Sequence, residues 1–270
     1  MKYKLICLDV DGTLLNSEKK ILEPVKESLK RAHEMGIPIA LVTGRMPAGA
    51  KLVERELSVP CIKACNAGTY ILQGERCIHS KYLPPEAAVS IYERFLAKDS
   101  IPLWLFEGRD WYVSERDAYV ERESRIIHYQ PETADVAVLA KMWKEKGIGP
   151  NKLLIGAAPK DICRLQEEMK AAELFGVDMA RSADIYLEIF PKGATKGEAL
   201  EVMCEKLGIR LEETIAFGDQ ELDIPMLRKA GTSVAMGNAI KEVKELADFV
   251  TKSNDEAGVA FALERYLAVN

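Results

Sequence analysis

The chain is poor in the residues that build zinc-bound, disulfide-stapled or membrane-spanning proteins. Histidine occurs three times in 270 residues, at His33, His79 and His128, and none is spaced with cysteine as a zinc ligand set requires. Cys7, Cys61, Cys65, Cys77, Cys163 and Cys204 are scattered, several within apolar patterns where a thiol acts as a small hydrophobe, so reduced structural thiols are expected. Any metal here should be a hard one, bound by oxygen. No run approaches the roughly 20 apolar residues of a membrane span. The amino terminus offers only Leu5 to Leu8 before Asp9 interrupts, too short for the apolar core of a signal peptide. A cytoplasmic protein without a membrane partner is the expectation. Excess positive charge is missing as well: 37 Lys and Arg against 42 Asp and Glu leave a net charge of -5, with no basic cluster, which argues against nucleic acid as the main partner. Repeats and low-complexity segments are absent. What remains, 48% hydrophobic and 29% charged, is ordinary globular composition, long enough for one large or two modest domains.

The most informative segment is Leu5-Ile6-Cys7-Leu8-Asp9-Val10-Asp11-Gly12-Thr13. Leu5 to Leu8 is continuously apolar rather than alternating, the pattern of a strand covered on both faces of a parallel sheet. Open parallel sheets bind ligands beyond their carboxyl ends, which is where Asp9 and Asp11 emerge. If the chain stays extended the two carboxylates point the same way, and Gly12 then permits a sharp turn. An isolated Asp-Gly is only a turn signal, but that leaves Asp9 unexplained. At about 4 Å separation the pair repels by roughly 4 kcal/mol at an effective dielectric near 20, so a cation or shared proton is expected between them.

Pro24 suits the opening of a helix with Val25, Leu29, Ala32 and Met35 on its apolar face and Gly36 at its end, and a buried strand, Ile37 to Val42, follows. This βαβ unit joins parallel strands and brings Thr43 to the same edge as Asp9. Cys61 to Lys81 reads as another core strand and a hairpin, Thr69 to Leu72 and Cys77 to Lys81, around Gln73-Gly74. After the break at Pro84-Pro85 come a helix (86–98), strands (101–106 and 111–114), further helical stretches, a strand (152–157), a helix (160–172) and paired strands (175–181 and 185–189). This middle third is α+β in character and holds all three tryptophans, Trp104, Trp111 and Trp143, so it reads as an inserted domain. The α/β pattern resumes with a helix (196–207), a strand (214–217), a helix (222–230), a strand (233–236) and a last helix (259–268). The expected division is a core of residues 1–82 and 188–270 interrupted by a domain of residues 83–187.

Asp219 closes the short apolar strand Ile215 to Gly218, and Asp223 follows four residues later, on one helical face if Asp219 starts a helix. Asp219 could be a simple N-cap, a role compatible with a further one. With Asp9 and Asp11 it makes three carboxylates at strand ends, a hard oxygen site suited to Mg2+, with Asp223 as a supporting partner outside the ligand set. Thr195 and Glu198 have capping-box spacing, which puts Lys196 in a first helical turn. A solvated lysine is the usual case. An ammonium there opposes the helix dipole, however, and a nearby anion such as the Asp9 carboxylate or a bound phosphate group would explain it. Thr43-Gly44-Arg45 offers a hydroxyl and backbone N-H groups at another strand end, a small anion cradle that is weak evidence alone.

Together, Asp-x-Asp-Gly-Thr at Asp9 to Thr13, Thr43-Gly44-Arg45, Lys196-Gly197-Glu198-Ala199-Leu200 and Gly218-Asp219 with Asp223 resemble, in order, the motifs of the haloacid dehalogenase superfamily, most closely its Cof-type phosphatase branch. The resemblance implies a Rossmann-like three-layer core with a large inserted cap, Asp9 as a nucleophile that forms an aspartyl phosphate, and Asp11 as general acid and base. It also implies sugar phosphates or related small phosphorylated metabolites as substrates. The chain departs from the branch pattern at Leu222, where Asn is usual, at Asn66-Ala67-Gly68 in place of Asn-Gly-Ala, and at Ala257-Gly258-Val259 in place of Asp-Gly-Val. Those departures touch substrate positioning rather than chemistry. The expected activity is therefore Mg2+-dependent hydrolysis of a phosphomonoester held by Thr43, Gly44, Arg45 and Lys196. A phosphomutase using the same nucleophile is the alternative, and an idle phosphometabolite sensor is a third reading.

Overall fold

In the computed structural model, which describes residues 2–172, 174 and 176–267, the first apolar run becomes strand β1 (Leu5–Leu8), every residue buried. Helix α1 (Glu23–Glu34) has Pro24 in its first turn and turns Val25, Leu29 and Ala32 inward, after which Gly36, at φ +83°, reverses the chain into β2 (Ile39–Val42). Strand β2 lies parallel to β1, with Ile6 opposite Ile39. Helix α2 (Pro47–Leu57), β3 (Cys61–Cys65), β4 (Tyr70–Gln73) and β5 (Arg76–Ser80) follow. Strand β3 is parallel to β2, and β4 turns back antiparallel to β3.

The middle third opens with α3 (Pro85–Ile91), which widens into a π-helical turn, Tyr92–Leu96, and then tightens into a 3-10 turn, Ala97–Asp99, where one continuous helix was expected. It continues through β6 (Leu103–Glu107), β7 (Asp110–Val113), α4 (Ala118–Ile127), β8 (Glu132–Thr133), α5 (Val136–Lys146), β9 (Lys152–Gly156), α6 (Pro159–Ala171), β10 (Val177–Ala183) and β11 (Tyr186–Pro191). Its sheet runs β10-β11-β9-β6-β7-β8, antiparallel except for the parallel β7–β8 pair. The expected start of this hairpin at Phe175 lies outside the described residues, as does the expected end of the last helix at Ala268. Leu103, Leu105, Leu153, Ile155, Leu187 and Ile189 pack one sheet face onto Ile91, Trp143 and Leu165. Trp104, Phe106, Trp111 and Leu154 build a second cluster with Val120 and Ile127 of α4. The fully buried Asn151 ties Gly108, Ser80 and Lys81 together through its carboxamide.

The chain then returns through α7 (Lys196–Leu207), β12 (Thr214–Gly218), a 3-10 turn (Glu221–Asp223), α8 (Ile224–Lys229), β13 (Thr232–Ala235), α9 (Lys241–Leu246), β14 (Phe249–Val250) and α10 (Gly258–Leu267). The first sheet has the order β14-β13-β12-β1-β2-β3-β4-β5. From β1 the chain steps outward through β2 and β3, and the later strands step outward on the opposite side through β12, β13 and β14. Strand order thus reverses at β1, the topological switch point where open α/β sheets form their ligand crevice.

By contact density the chain divides into two compact units, Met1–Arg45 with Ala50–His79 and Thr195–Asn270, and Met46–Gly49 with Ser80–Ala194. The α/β class expected from the sequence is the class that forms, with an α+β segment inside it. Among the described residues no helix is long and apolar enough to cross a membrane.

Candidate active site

Asp9 follows directly on β1, and its N-H donates to the Phe217 carbonyl of β12 at 3.1 Å, which fixes it at the switch point. The residue is 6% exposed, and its Oδ1 accepts from Lys196 Nζ at 2.5 Å while Oδ2 has no hydrogen-bond partner among the described residues. Burial holds the Asp9 carboxyl well above the usual carboxylate range; Lys196 opposes that shift and Asp223 and Asp219 add to it.

Lys196 sits in the first turn of α7, whose N-cap Thr195 accepts the Glu198 N-H on its hydroxyl. Its ammonium bridges Asp9 and Asp223 Oδ1, each at 2.5 Å. Burial works against the charged ammonium, yet the carboxylates of Asp223 and Asp9 outweigh it and keep the lysine charged. The fully buried Asp223 accepts on its other oxygen from the backbone N-H groups of Asp219 and Gln220, both at 2.9 Å. It therefore shapes the turn after β12 and holds the lysine at once. Gly218 is required beside it, because a Cβ there would lie 2.5 Å from the Asp223 Cβ.

Asp219 accepts from the Thr13 hydroxyl at 2.7 Å and from Gln220 Nε2 at 3.1 Å. Burial raises its carboxyl above the ordinary value, against the Thr13 hydrogen bond. Gly12, at φ +93°, passes so close that a Cβ would meet Asp219 Oδ2 at 2.4 Å, so only glycine fits. Asn238 Nδ2 donates to the Gly12 carbonyl at 2.8 Å, a contact that no sequence signal announced.

Asp9, Asp219 and Asp223 each place a carboxylate oxygen within 4.8 Å of the others. Of the three carboxylates expected to share an ion, Asp9 and Asp219 are in that group and Asp11 is not. The expectation required an extended chain through residue 11, but the strand ends at Leu8 and the chain turns at Val10, whose carbonyl accepts from the N-H of both Leu14 and Leu15. The Asp11 carboxylate instead faces Arg45: Nε donates to Oδ2 and Nη2 to Oδ1, each at 2.8 Å, and Lys19 Nζ reaches Oδ1 at 3.1 Å. Its partial burial would raise the carboxyl, but Arg45 and Lys19 outweigh it and pull it down to about 2.

Thr43 is buried at the end of β2, and its hydroxyl accepts the Arg45 N-H at 3.1 Å, so Thr43-Gly44-Arg45 forms a tight turn. A second turn braces it: the N-H of Asn66 donates to the Arg45 carbonyl and that of Ala67 to the Thr43 carbonyl. Asn66 and Ala67 both have positive φ, and the buried Asn66 carboxamide has no hydrogen-bond partner among the described residues. Leu222 lies half-buried in the 3-10 turn after Asp219.

Three carboxylates facing one ammonium leave two negative charges uncompensated in a buried setting, which suits a divalent ion. Asp223 has both oxygens committed to Lys196 and backbone, whereas Asp9 keeps one oxygen open. Asp9 and Asp219 are thus the pair that fits a hard ion, which takes one or two carboxylates and keeps its waters.

An aspartate at the switch point of a parallel sheet, paired with a buried lysine and a second carboxylate, makes a site suited to a divalent ion and an anionic ligand. The chain belongs to the haloacid dehalogenase-like hydrolases, whose family model matches residues 6–263. It is 32% identical over 289 residues to the 5-amino-6-(5-phospho-D-ribitylamino)uracil phosphatase YwtE of Bacillus subtilis (strain 168), covering 98% of both chains. It superposes on a haloacid dehalogenase-like hydrolase from Bacteroides thetaiotaomicron with a TM-score of 0.86 and 32% identity, covering 98% of this chain and 99% of that one. The subclass IIB sugar phosphatase BT4131 gives a TM-score of 0.81 at 27% identity, over 98% of this chain and all of that one.

Proposed function

We propose that the chain is a Mg2+-dependent phosphomonoester hydrolase that acts through an aspartyl phosphate on Asp9, with sugar phosphates or related small phosphorylated metabolites as substrates. Residues 83–187 are read as an inserted cap and residues 1–82 with 188–270 as the catalytic core. The observation that carries the proposal is Asp9 itself: a buried carboxylate at the switch point, held on one oxygen by Lys196 and open on the other.

Asp9 and Asp219 would hold Mg2+, which when bound offsets negative charge and polarises a phosphoryl oxygen. Thr43, Gly44, Arg45 and Lys196 receive the phosphate. Asp9 attacks phosphorus as the ester P-O bond breaks, and Asp11 delivers a proton to the departing oxygen. Water then attacks phosphorus with Asp11 taking its proton, which releases phosphate and restores Asp9. Asp11 is ionised while Arg45 and Lys19 hold it, so it must lose part of that cationic company to carry the proton. The phosphomutase alternative finds no support, since the similar proteins named above are phosphatases and a hydrolase. A sugar-phosphate preference draws on BT4131, and a cytoplasmic location on six free cysteines.

A phosphate-release screen over sugar phosphates, nucleotides and cofactor phosphates tests the proposal. Turnover should require Mg2+, stop on chelation, and fall by roughly three orders of magnitude or more in Asp9→Asn. Equal release by that variant would contradict it.

A further inference from the structure

Arg45 carries two assignments that compete. As a phosphate ligand it must face the substrate, while in this structure its Nε and Nη2 both donate to Asp11. The two oxygens of Asp11 are not equivalent in this respect. Among the described residues Oδ2 is held by Arg45 alone, whereas Oδ1 is shared by Arg45 and Lys19. Without Arg45, Oδ2 would have no partner among the described residues, whereas Oδ1 would keep Lys19.

The side chain of Lys19 is 65% exposed, but the backbone that carries it is fixed. It occupies the left-handed region at φ +61°, a conformation uncommon for residues other than glycine, inside a tight turn. The turn is closed by the Lys19 N-H on the Asn16 carbonyl, the Asn16 N-H on the Lys20 carbonyl and the Lys20 N-H on Asn16 Oδ1. Its base is pinned from the far end of the chain: Ser17 donates through N-H and hydroxyl to Asp255, and Asn254 Nδ2 donates to the Leu15 carbonyl. An exposed lysine on a mobile loop would give only a weak and fluctuating ion pair. This one projects from a braced turn.

We propose that Lys19 is a positioning residue for Asp11, anchoring Oδ1 so that Oδ2 is the oxygen that carries the proton to and from the leaving group once Arg45 has turned to the phosphate. The proposal rests on the hydrolase reading above. It assigns Lys19 no contact with substrate, so its loss should act on turnover and spare binding, and it should act only through Asp11.

The test is steady-state kinetics on a sugar phosphate for Lys19→Met and Lys19→Arg, each alone and in an Asp11→Asn background. The expected result for Lys19→Met is a kcat about tenfold lower with KM within about twofold, and a return to within about threefold of the parent in Lys19→Arg. In the Asp11→Asn background, Lys19→Met should cause no further loss. An unchanged kcat, an effect on KM alone, or an equal loss without the Asp11 carboxylate each overturns the assignment of Lys19. The Asp9→Asn control separates the two levels: no Asp9-dependent phosphate release from the parent protein overturns the hydrolase reading and this proposal together, whereas Asp9-dependent release that ignores Lys19 overturns this proposal alone.

Discussion

A lysine that is 5% exposed stays charged only because two carboxylates meet it, and Lys196 has Asp9 on one side and Asp223 on the other. Removing the ammonium leaves two buried carboxylates without compensation, a loss of about 3–5 kcal/mol when one partner of a buried pair is deleted. Lys196→Met should therefore lower the unfolding free energy by that order in urea titration and also abolish turnover. An active variant of undiminished stability would show that the lysine is dispensable. The sequence pointed to Asp9, Asp219 and Lys196 because each stands at a boundary that pattern alone defines, two at strand ends and one behind an N-cap. An extended chain would put Asp11 with them, but a turn at Val10, invisible in the apolar pattern, sends its carboxylate to Arg45 and Lys19 instead. Lys19 itself carried no signal, since a lysine in a polar loop looks the same whether it is solvated or aimed.

Elements with clear ends were the legible ones. Helix α7 forms over the expected residues 196–207 because Thr195 caps its start and Gly208, in the left-handed region, closes it. Strand β1 is similarly bounded, by its own apolar run. Helix α2 went unread because Pro47, Ala48, Gly49 and Ala50 dilute its apolar period, and α9 and β14, at six and two residues, are too short to show one. Some element junctions titrate. Glu213, just ahead of β12, accepts from Lys4 beside β1 and from Arg210, and these hydrogen bonds hold its carboxyl down to about 2. A group depressed on folding adds stability above its unfolded value, near 4.3, and that stability is lost as pH falls through the folded one. Unfolding free energy should accordingly drop between about pH 4.3 and about pH 2 in the parent, with a shallower slope in Glu213→Gln. Identical acid limbs for the two proteins would remove Glu213 from the junction.

At the scale of the molecule, each compact unit has a core of its own, and the probes are unevenly divided between them. All three tryptophans lie buried in the second unit, while the buried thiols of Cys7, Cys61, Cys65 and Cys204 lie in the first. Burial pushes the Cys61 thiol up to about 12 and the Cys204 thiol up to about 11, and raises Cys7 too. A thiol reagent should label only the exposed Cys77 and Cys163 in the native protein, and the other four only as the first unit unfolds. Labelling of all six under native conditions would contradict the packing described. The sequence motifs located the site's members across four stretches of chain, but not which oxygen of which carboxylate is free. The central claim is that their convergence makes Asp9 a covalent phosphoryl acceptor. Acid quenching during turnover, followed by borohydride reduction and peptide mass spectrometry, tests it directly. Conversion of residue 9 to homoserine is the predicted result, and phosphate release with no modification at that position, or with modification elsewhere, would contradict the account.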